Sequence, residues 1–266
     1  MIRKAGSDER KEVVNLFSGI DDSMIIAYRQ GYMGDAFIDR YPDPTVGMMS
    51  SGEYTFFGGD ANSKEAEELV KAVFQLIPGN ETTATFAESE PDWEKTLLSV
   101  PENNPKSVPR FGIVQRDYDF DQKKLRSFVE ALPEGYEIKE FDMDLYDQAM
   151  SEDWSKEFCE IFDSGEDYLK RGFGIAAVQD GKLISATSTQ TVYDGGTEIQ
   201  IATHPDYRKR GLAKPTAAAF ILECIKRNMR PHWDAANKIS LRIALDLGYE
   251  YRGEYTTVKM EIGDGS

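Results

Sequence analysis

The chain has 266 residues, and its 47 Asp and Glu stand against 31 Lys and Arg for a formal net charge of −16. A surplus of that sign argues against a protein whose main work is gripping nucleic-acid phosphates. With 40% hydrophobic and 11% aromatic residues the charge coats a folded body rather than a disordered chain, and the length suits one large or two modest domains.

Taken from the start, Asp8 to Leu16 and Asp22 to Tyr28 have helical spacing, and Tyr54 to Phe57 reads as a strand that ends at Gly58 and Gly59. Asn62 stands where a helix N-cap belongs, with Glu65 three residues on as in a capping box. Leu69, Val70, Val73, Phe74 and Leu76 then give that helix its apolar stripe. A strand at Thr82 to Ala87, a helix at Asp92 to Leu98, a loop of Pro and Asn from Pro101 to Pro105 and a strand at Arg110 to Gln115 follow. The polar stretch from Asp119 opens a second region, so the expected domains are residues 1–118 and 119–266.

The second region begins with a helix over Lys124 to Leu132, a strand over Tyr136 to Phe141 and a helix over Leu145 to Phe162. Phe173 to Val178 and Leu183 to Val192 form two strands joined by Asp180 and Gly181, a favoured pair for a two-residue hairpin turn. After the turn at Asp194 to Gly196 come a strand over Glu198 to Thr203 and a helix over Leu212 to Met229. A strand near Pro231 to Ala235, a helix over Ile239 to Leu247 closed by Gly248, and a final hairpin from Tyr249 to Ile262 complete the order. Hairpins followed by β-α-β-α-β make the class α+β with a mixed sheet.

Only Cys159 and Cys224 are available for sulfur chemistry. They cannot build a disulfide framework, and neither His204 nor His232 has a Cys or Glu at zinc-ligand spacing, so no metal is expected. The first residues lack the apolar stretch of a signal peptide, and no run approaches the ~20 apolar residues of a spanning helix, so a cytoplasmic protein with no membrane partner is expected.

The most informative segment is Arg208, Lys209, Arg210, Gly211, Leu212 and Ala213, between a strand and an amphipathic helix. A strand that stops at a basic turn and runs into a helix exposes the helix's first N–H groups, which bind anions. Gly211 has no side chain to block the approach, and Pro215 falls in the first turn, where its missing N–H costs nothing. A phosphate or pyrophosphate belongs there.

With strand, helix and spacing in place, the run from Glu198 to Ala213 resembles the acetyl-CoA signature of GNAT superfamily N-acetyltransferases, carried by Arg208, Gly211 and Ala213. Asn237 with Ser240, followed by Gly248 and Tyr249, resembles the superfamily's second element. Ser164 to Tyr168, Gly172 to Gly174 and Pro231 to Asn237 resemble a bacterial GNAT family with a divergent N-terminal half that includes antibiotic-resistance acetyltransferases. The resemblance covers Leu125 to Met260. It implies the acyl-CoA N-acyltransferase fold, a mostly antiparallel mixed sheet flanked by helices, with acetyl-CoA as cosubstrate. It also implies a splay between the fourth and fifth strands that frees backbone groups for the cofactor.

Carried over residue by residue, the resemblance gives Ile201, Ala202 and Thr203 to the pantetheine amides, and Arg208, Lys209, Arg210, Gly211, Leu212 and Ala213 to the pyrophosphate. Asn237 and Ser240 go near the pantetheine or the thioester. Glu198 is the expected general base, directly or through a water; a solvated strand edge would carry such a Glu equally well. Seven residues after Asn237, where many members have a Tyr to protonate the leaving thiolate, this chain has Ala244, which leaves Tyr249, Tyr255 or water for that task. His204 and His232 are alternative proton carriers, against a turn residue and a packing or solvent-facing residue. Trp233 and Asp234 read as a buried indole and a cap for the last helix, or as groups at the acyl end of the cleft.

Phe56 to Asp60 brings an acid where a phosphate site wants a base, so no CoA is expected in the first half. That half reads as a degenerate GNAT-like copy walling the substrate cleft. The expected function is acetyl transfer to the primary amine of a small, cationic molecule, a partner that suits the negative charge. The alternatives are a non-catalytic acyl-CoA-binding module and a protein N-acetyltransferase.

Overall fold

The computed structural model describes residues 1–262. In chain order its first half comprises β1 (Arg3–Lys4), α1 (Arg10–Val13), α2 (Ser23–Gln30), β2 (Asp35–Ile38), β3 (Val46–Ser51), β4 (Tyr54–Gly59), α3 (Lys64–Leu76), β5 (Glu81–Phe86), α4 (Asp92–Leu98) and β6 (Lys106–Ile113). The second half comprises α5 (Gln122–Glu130), β7 (Glu137–Glu140), α6 (Met143–Met150), α7 (Gly165–Arg171), β8 (Gly174–Gln179), β9 (Lys182–Tyr193), β10 (Gly196–Thr203), α8 (Ala213–Lys226), β11 (Arg230–His232), α9 (Lys238–Leu247) and β12 (Tyr251–Glu261). Two compact units result, one of Met1–Arg110 with the chain from Gly253, the other of Phe111–Arg252.

The first unit is built on a sheet of order β1-β2-β3-β4-β5-β12-β6. Leu69, Val70 and Val73 of α3 are buried with Val46, Met48, Phe57, Ala84 and Trp93, the stripe expected from sequence. The cap of α3 is Ser63, whose side chain accepts from Ala66 N at 3.1 Å, and not Asn62. Asn62 lies in the preceding turn with its own N–H bound to Asp60. Gly58 and Gly59 are required by packing: a Cβ would sit 2.0 Å from Leu16 O and 2.1 Å from Thr45 O respectively. That is backbone pressed on backbone.

The expected final hairpin is absent. The chain instead makes the single strand β12, antiparallel to β5 with Val258 opposite Ala84. Val258 and Met260 are fully buried in the first unit's core, and this burial favours one continuous strand over a hairpin.

The second unit carries a sheet of order β11-β10-β9-β8-β7. Asp180 and Gly181 both have positive φ, at 51° and 77°, as the two-residue turn between β8 and β9 demands. Behind the sheet lies α8, with Phe220 stacked on Phe173 at 4.4 Å between centroids. The helix expected from Leu145 to Phe162 stops at Met150. Ser155 donates its hydroxyl to Ala149 O at 2.8 Å, and only a 3-10 turn at Lys156–Phe158 follows. Conversely, α7 was not anticipated, although Ser164 caps it by accepting from Asp167 N at 3.2 Å, a local signal present in the letters.

The two units repeat one arrangement. In the first, β3 is antiparallel to β4, and β4 is joined through α3 to β5, with which it is parallel; in the second, β9 is antiparallel to β10, and β10 is joined through α8 to β11, with which it is parallel. A further helix, α4 or α9, follows each.

Candidate active site

The site begins where β10 and β11 part. They pair only from Gly196 with Arg230 to Glu198 with His232, while β10 continues to Thr203. Beyond Glu198 no strand among the described residues pairs with that edge of β10, which is the expected splay. His204 N donates to Ile184 O at 2.9 Å, so the antiparallel alternation turns the amides of Ala202 and His204 toward β9. The N–H and C=O of Ile201 therefore face the open edge, as does Thr203, whose carbonyl accepts from Arg208 Nε at 3.2 Å.

That edge leads through a 3-10 turn at Pro205–Tyr207 into the basic loop. Lys209 and Gly211 have positive φ of 64° and 81°, with Arg210 between them, and alternation of this kind turns successive amides to one concave side that suits an anion. Only Gly adopts +81° without strain, and the place its Cβ would take is open, with nothing within 4 Å. Among the described residues the amides of Lys209, Arg210, Gly211, Leu212 and Ala213 have no protein acceptor, and α8 begins at Ala213. Arg210 lies over the Tyr207 ring at 4.5 Å and donates to Asp206 O at 3.0 Å, while Leu212 is buried and anchors the loop. Free amides, three cations and an unfilled approach at Gly211 fit the pyrophosphate of a CoA thioester.

Glu198 is not a solvated edge residue: it is 6% exposed. β9 bulges beside it, since Glu198 pairs with Thr191 but Ile199 pairs with Thr189, leaving Gln190 unpaired. Asn237 caps α9, accepting from Ile239 N and Ser240 N, each at 3.0 Å, so that role belongs to Asn237 and not to Asp234. Ser240 Oγ accepts from Trp233 Nε1 at 3.0 Å, and Trp233 is the buried indole expected. Ala244 is fully buried in the core, so position 244 faces packed side chains. Tyr249 is buried with its hydroxyl donated to Pro231 O at 2.9 Å, and burial raises its pKa well above the ordinary value. It is a poor stand-in for the missing Tyr. Tyr255 belongs to the first unit. His204 packs between Trp154 and Tyr207 and accepts from Asp206 N, which makes it a turn residue.

His232 is buried rather than solvent-facing, its Nε2 is 2.6 Å from Tyr193 Oη, and burial pushes its pKa down to about 4. Because the unfolded chain takes up this proton near pH 6.5 and the native protein only near 4, the stability His232 allows is complete above 6.5 and lost as pH falls through that window. Between pH 7 and 5 the loss from this residue is about 2 kcal/mol. Urea midpoints at the two pH values, compared with a His232→Gln variant, measure it; an equal pH slope in both proteins rejects the assignment. Sequence reasoning missed Thr191, Tyr193 and Arg230 around this residue, because a strand written Ser, Thr, Gln, Thr gives no apolar alternation to follow.

Both cysteines are buried and unbridged, with burial raising the Cys159 thiol to about 12 and Cys224 upward as well. A thiol reagent on the native protein should therefore find neither, and find both after denaturation; rapid native labelling would contradict this burial. Among the described residues no group of three His, Cys, Asp or Glu is placed to hold a metal, and no helix is long and apolar enough to cross a membrane.

Comparison with known proteins gives the same direction. The sequence model of the GNAT acetyltransferase family matches residues 14–258. The uncharacterized N-acetyltransferase YdfB of Bacillus subtilis is 24% identical over 208 residues, 77% of each chain. The ribosomal protein bS18 alanine N-acetyltransferase of Escherichia coli K12 is 30% identical over 122 residues, 44% of this chain and 74% of that protein. A GCN5-related N-acetyltransferase-like protein from Streptococcus suis superposes with a TM-score of 0.87 at 27% identity, covering 97% of this chain and all of the other.

Proposed function

We propose, for a chain that belongs to the GNAT acetyltransferase family and is thereby an acyltransferase using acetyl-CoA, that its acceptor is the primary amine of a small, positively charged molecule. The observation that carries this reading is the buried carboxylate of Glu198 at the point where the β10 edge opens, in line with the free amides of Ile201 and the loop from Arg208 to Ala213. The loop amides would hold the pyrophosphate, with Arg208, Lys209 and Arg210 adding charge. Ile201, Ala202 and Thr203 would align the pantetheine, and Asn237 and Ser240 would border its thioester end. Glu198 would take the proton of the attacking amine. The net charge of −16 supports a cationic acceptor through long-range attraction. The first 118 residues, a second copy of the strand and helix order without the basic loop, would contribute acceptor choice rather than cofactor binding.

Acylation of a polypeptide N-terminus is the second reading, favoured by the likeness to the bS18 alanine N-acetyltransferase. Acetyl-CoA incubated with polyamines, amino sugars, amino acids and short peptides, with released thiol as readout, separates them. Release with a small amine supports the first reading and release with peptides alone supports the second. Tight acetyl-CoA binding without release for any amine would leave a binding module in place of an enzyme.

A further inference from the structure

On the sheet face that carries Glu198, the two neighbouring strands hold polar atoms that the protein itself does not use. Thr191 on β9 and His232 on β11 are register partners of Glu198 from opposite sides, so the three side chains stand in a row across three strands. They are 0%, 3% and 6% exposed for Thr191, His232 and Glu198. Thr191 Oγ1 and His232 Nδ1 have no hydrogen-bond partner. An unmade hydrogen bond at a buried polar atom is destabilising, and two of them flanking one carboxylate require an explanation beyond packing.

A network at the β11 end fixes the chemistry of the row. Arg230 donates from Nε to Asp117 Oδ1 at 2.6 Å and lies close enough to Tyr193 for their charges to interact. We assign the Tyr193 proton to His232 Nε2, 2.6 Å away and the partner the structure gives that hydroxyl. His232 therefore carries its own proton on Nδ1, a donor facing no acceptor. Thr191 Oγ1 is a second unused donor, and what both lack is an oxygen.

We propose that Thr191 and His232 form an acceptor subsite on either side of Glu198 that recognises an oxygen close to the reacting nitrogen, so the acceptor is a 2-amino alcohol or an α-amino carbonyl compound. This rests on the reading of Glu198 as base. Adjacent strands lie about 5 Å apart, so an oxygen two or three bonds from the nitrogen reaches a neighbour of Glu198. Both atoms are shielded from water in this structure, and an acceptor reaching them displaces the side chains that cover the row.

The test measures kcat/KM for ethanolamine, glycinamide, a glycine tripeptide amide, propylamine and 1,4-diaminobutane. The wild type should favour an oxygen-bearing amine over propylamine at least tenfold. Thr191→Val, which removes a hydroxyl at constant shape, and His232→Leu should each bring that ratio to within twofold of one at unchanged acetyl-CoA affinity. His232→Asn, which keeps a donor, should retain most of it. Ethanolamine or glycinamide as the best acceptor identifies a small molecule and the tripeptide identifies a polypeptide N-terminus, each consistent with the subsite. Ratios unchanged in Thr191→Val and His232→Leu, or a wild type that prefers propylamine or the diamine, overturn the subsite and leave acetyl transfer standing. No CoA release with any amine overturns the functional reading together with it.

Discussion

Gly211→Glu should weaken acetyl-CoA binding at least 100-fold, measured by titration calorimetry, with little change in Tm. The size of the effect follows from two separate terms. A side chain at φ +81° costs about 1 kcal/mol or more in backbone strain, which pulls the loop away from the conformation that gathers its amides. The added carboxylate then occupies the open approach beside those amides and repels the pyrophosphate it should receive. Gly211→Ala separates the terms, since it keeps the strain and omits the charge, and should lose about tenfold at most. Affinity retained in Gly211→Glu would remove the pyrophosphate from this loop.

Replacing Glu198 by Gln should lower kcat by about 10²-fold or more, within the range general bases contribute, at unchanged acetyl-CoA affinity. Gln keeps the shape of a side chain that is 6% exposed, so packing against β9 and β11 survives and the proton acceptor alone is lost. The acid limb of the pH–rate profile should flatten in the variant. An unchanged kcat with the wild-type profile would reduce Glu198 to a structural residue.

The cofactor loop was legible because its signals are local. Gly211 must supply positive φ, the cations are contiguous, and the helix that follows begins within two residues. The turn at Asp180 and Gly181, and Gly248 closing α9 at φ 113°, are local for the same reason. Where two neighbours could serve equally, as Asn62 and Ser63 could at the head of α3, the backbone path decided and the letters did not. Register is set by packing, so nothing in the spacing could align Thr191, Glu198 and His232 across three strands or bury the carboxylate between them. Ala244 is the instructive departure. The sequence shows a missing Tyr, and only the structure shows that the position faces the core, where a phenol would need a partner of its own.

The placing of β12 between β5 and β6 carries a consequence for how the molecule is made. A nascent chain that has left the ribosome as far as Ile113 holds β1 to β6 but lacks the strand that joins two of them, so the first unit cannot close its sheet during synthesis. It waits, with the edges of β5 and β6 open, through the whole of the second unit. β12 then locks the first unit only after the second unit has been made, so the first unit does not mature on its own as soon as β6 emerges.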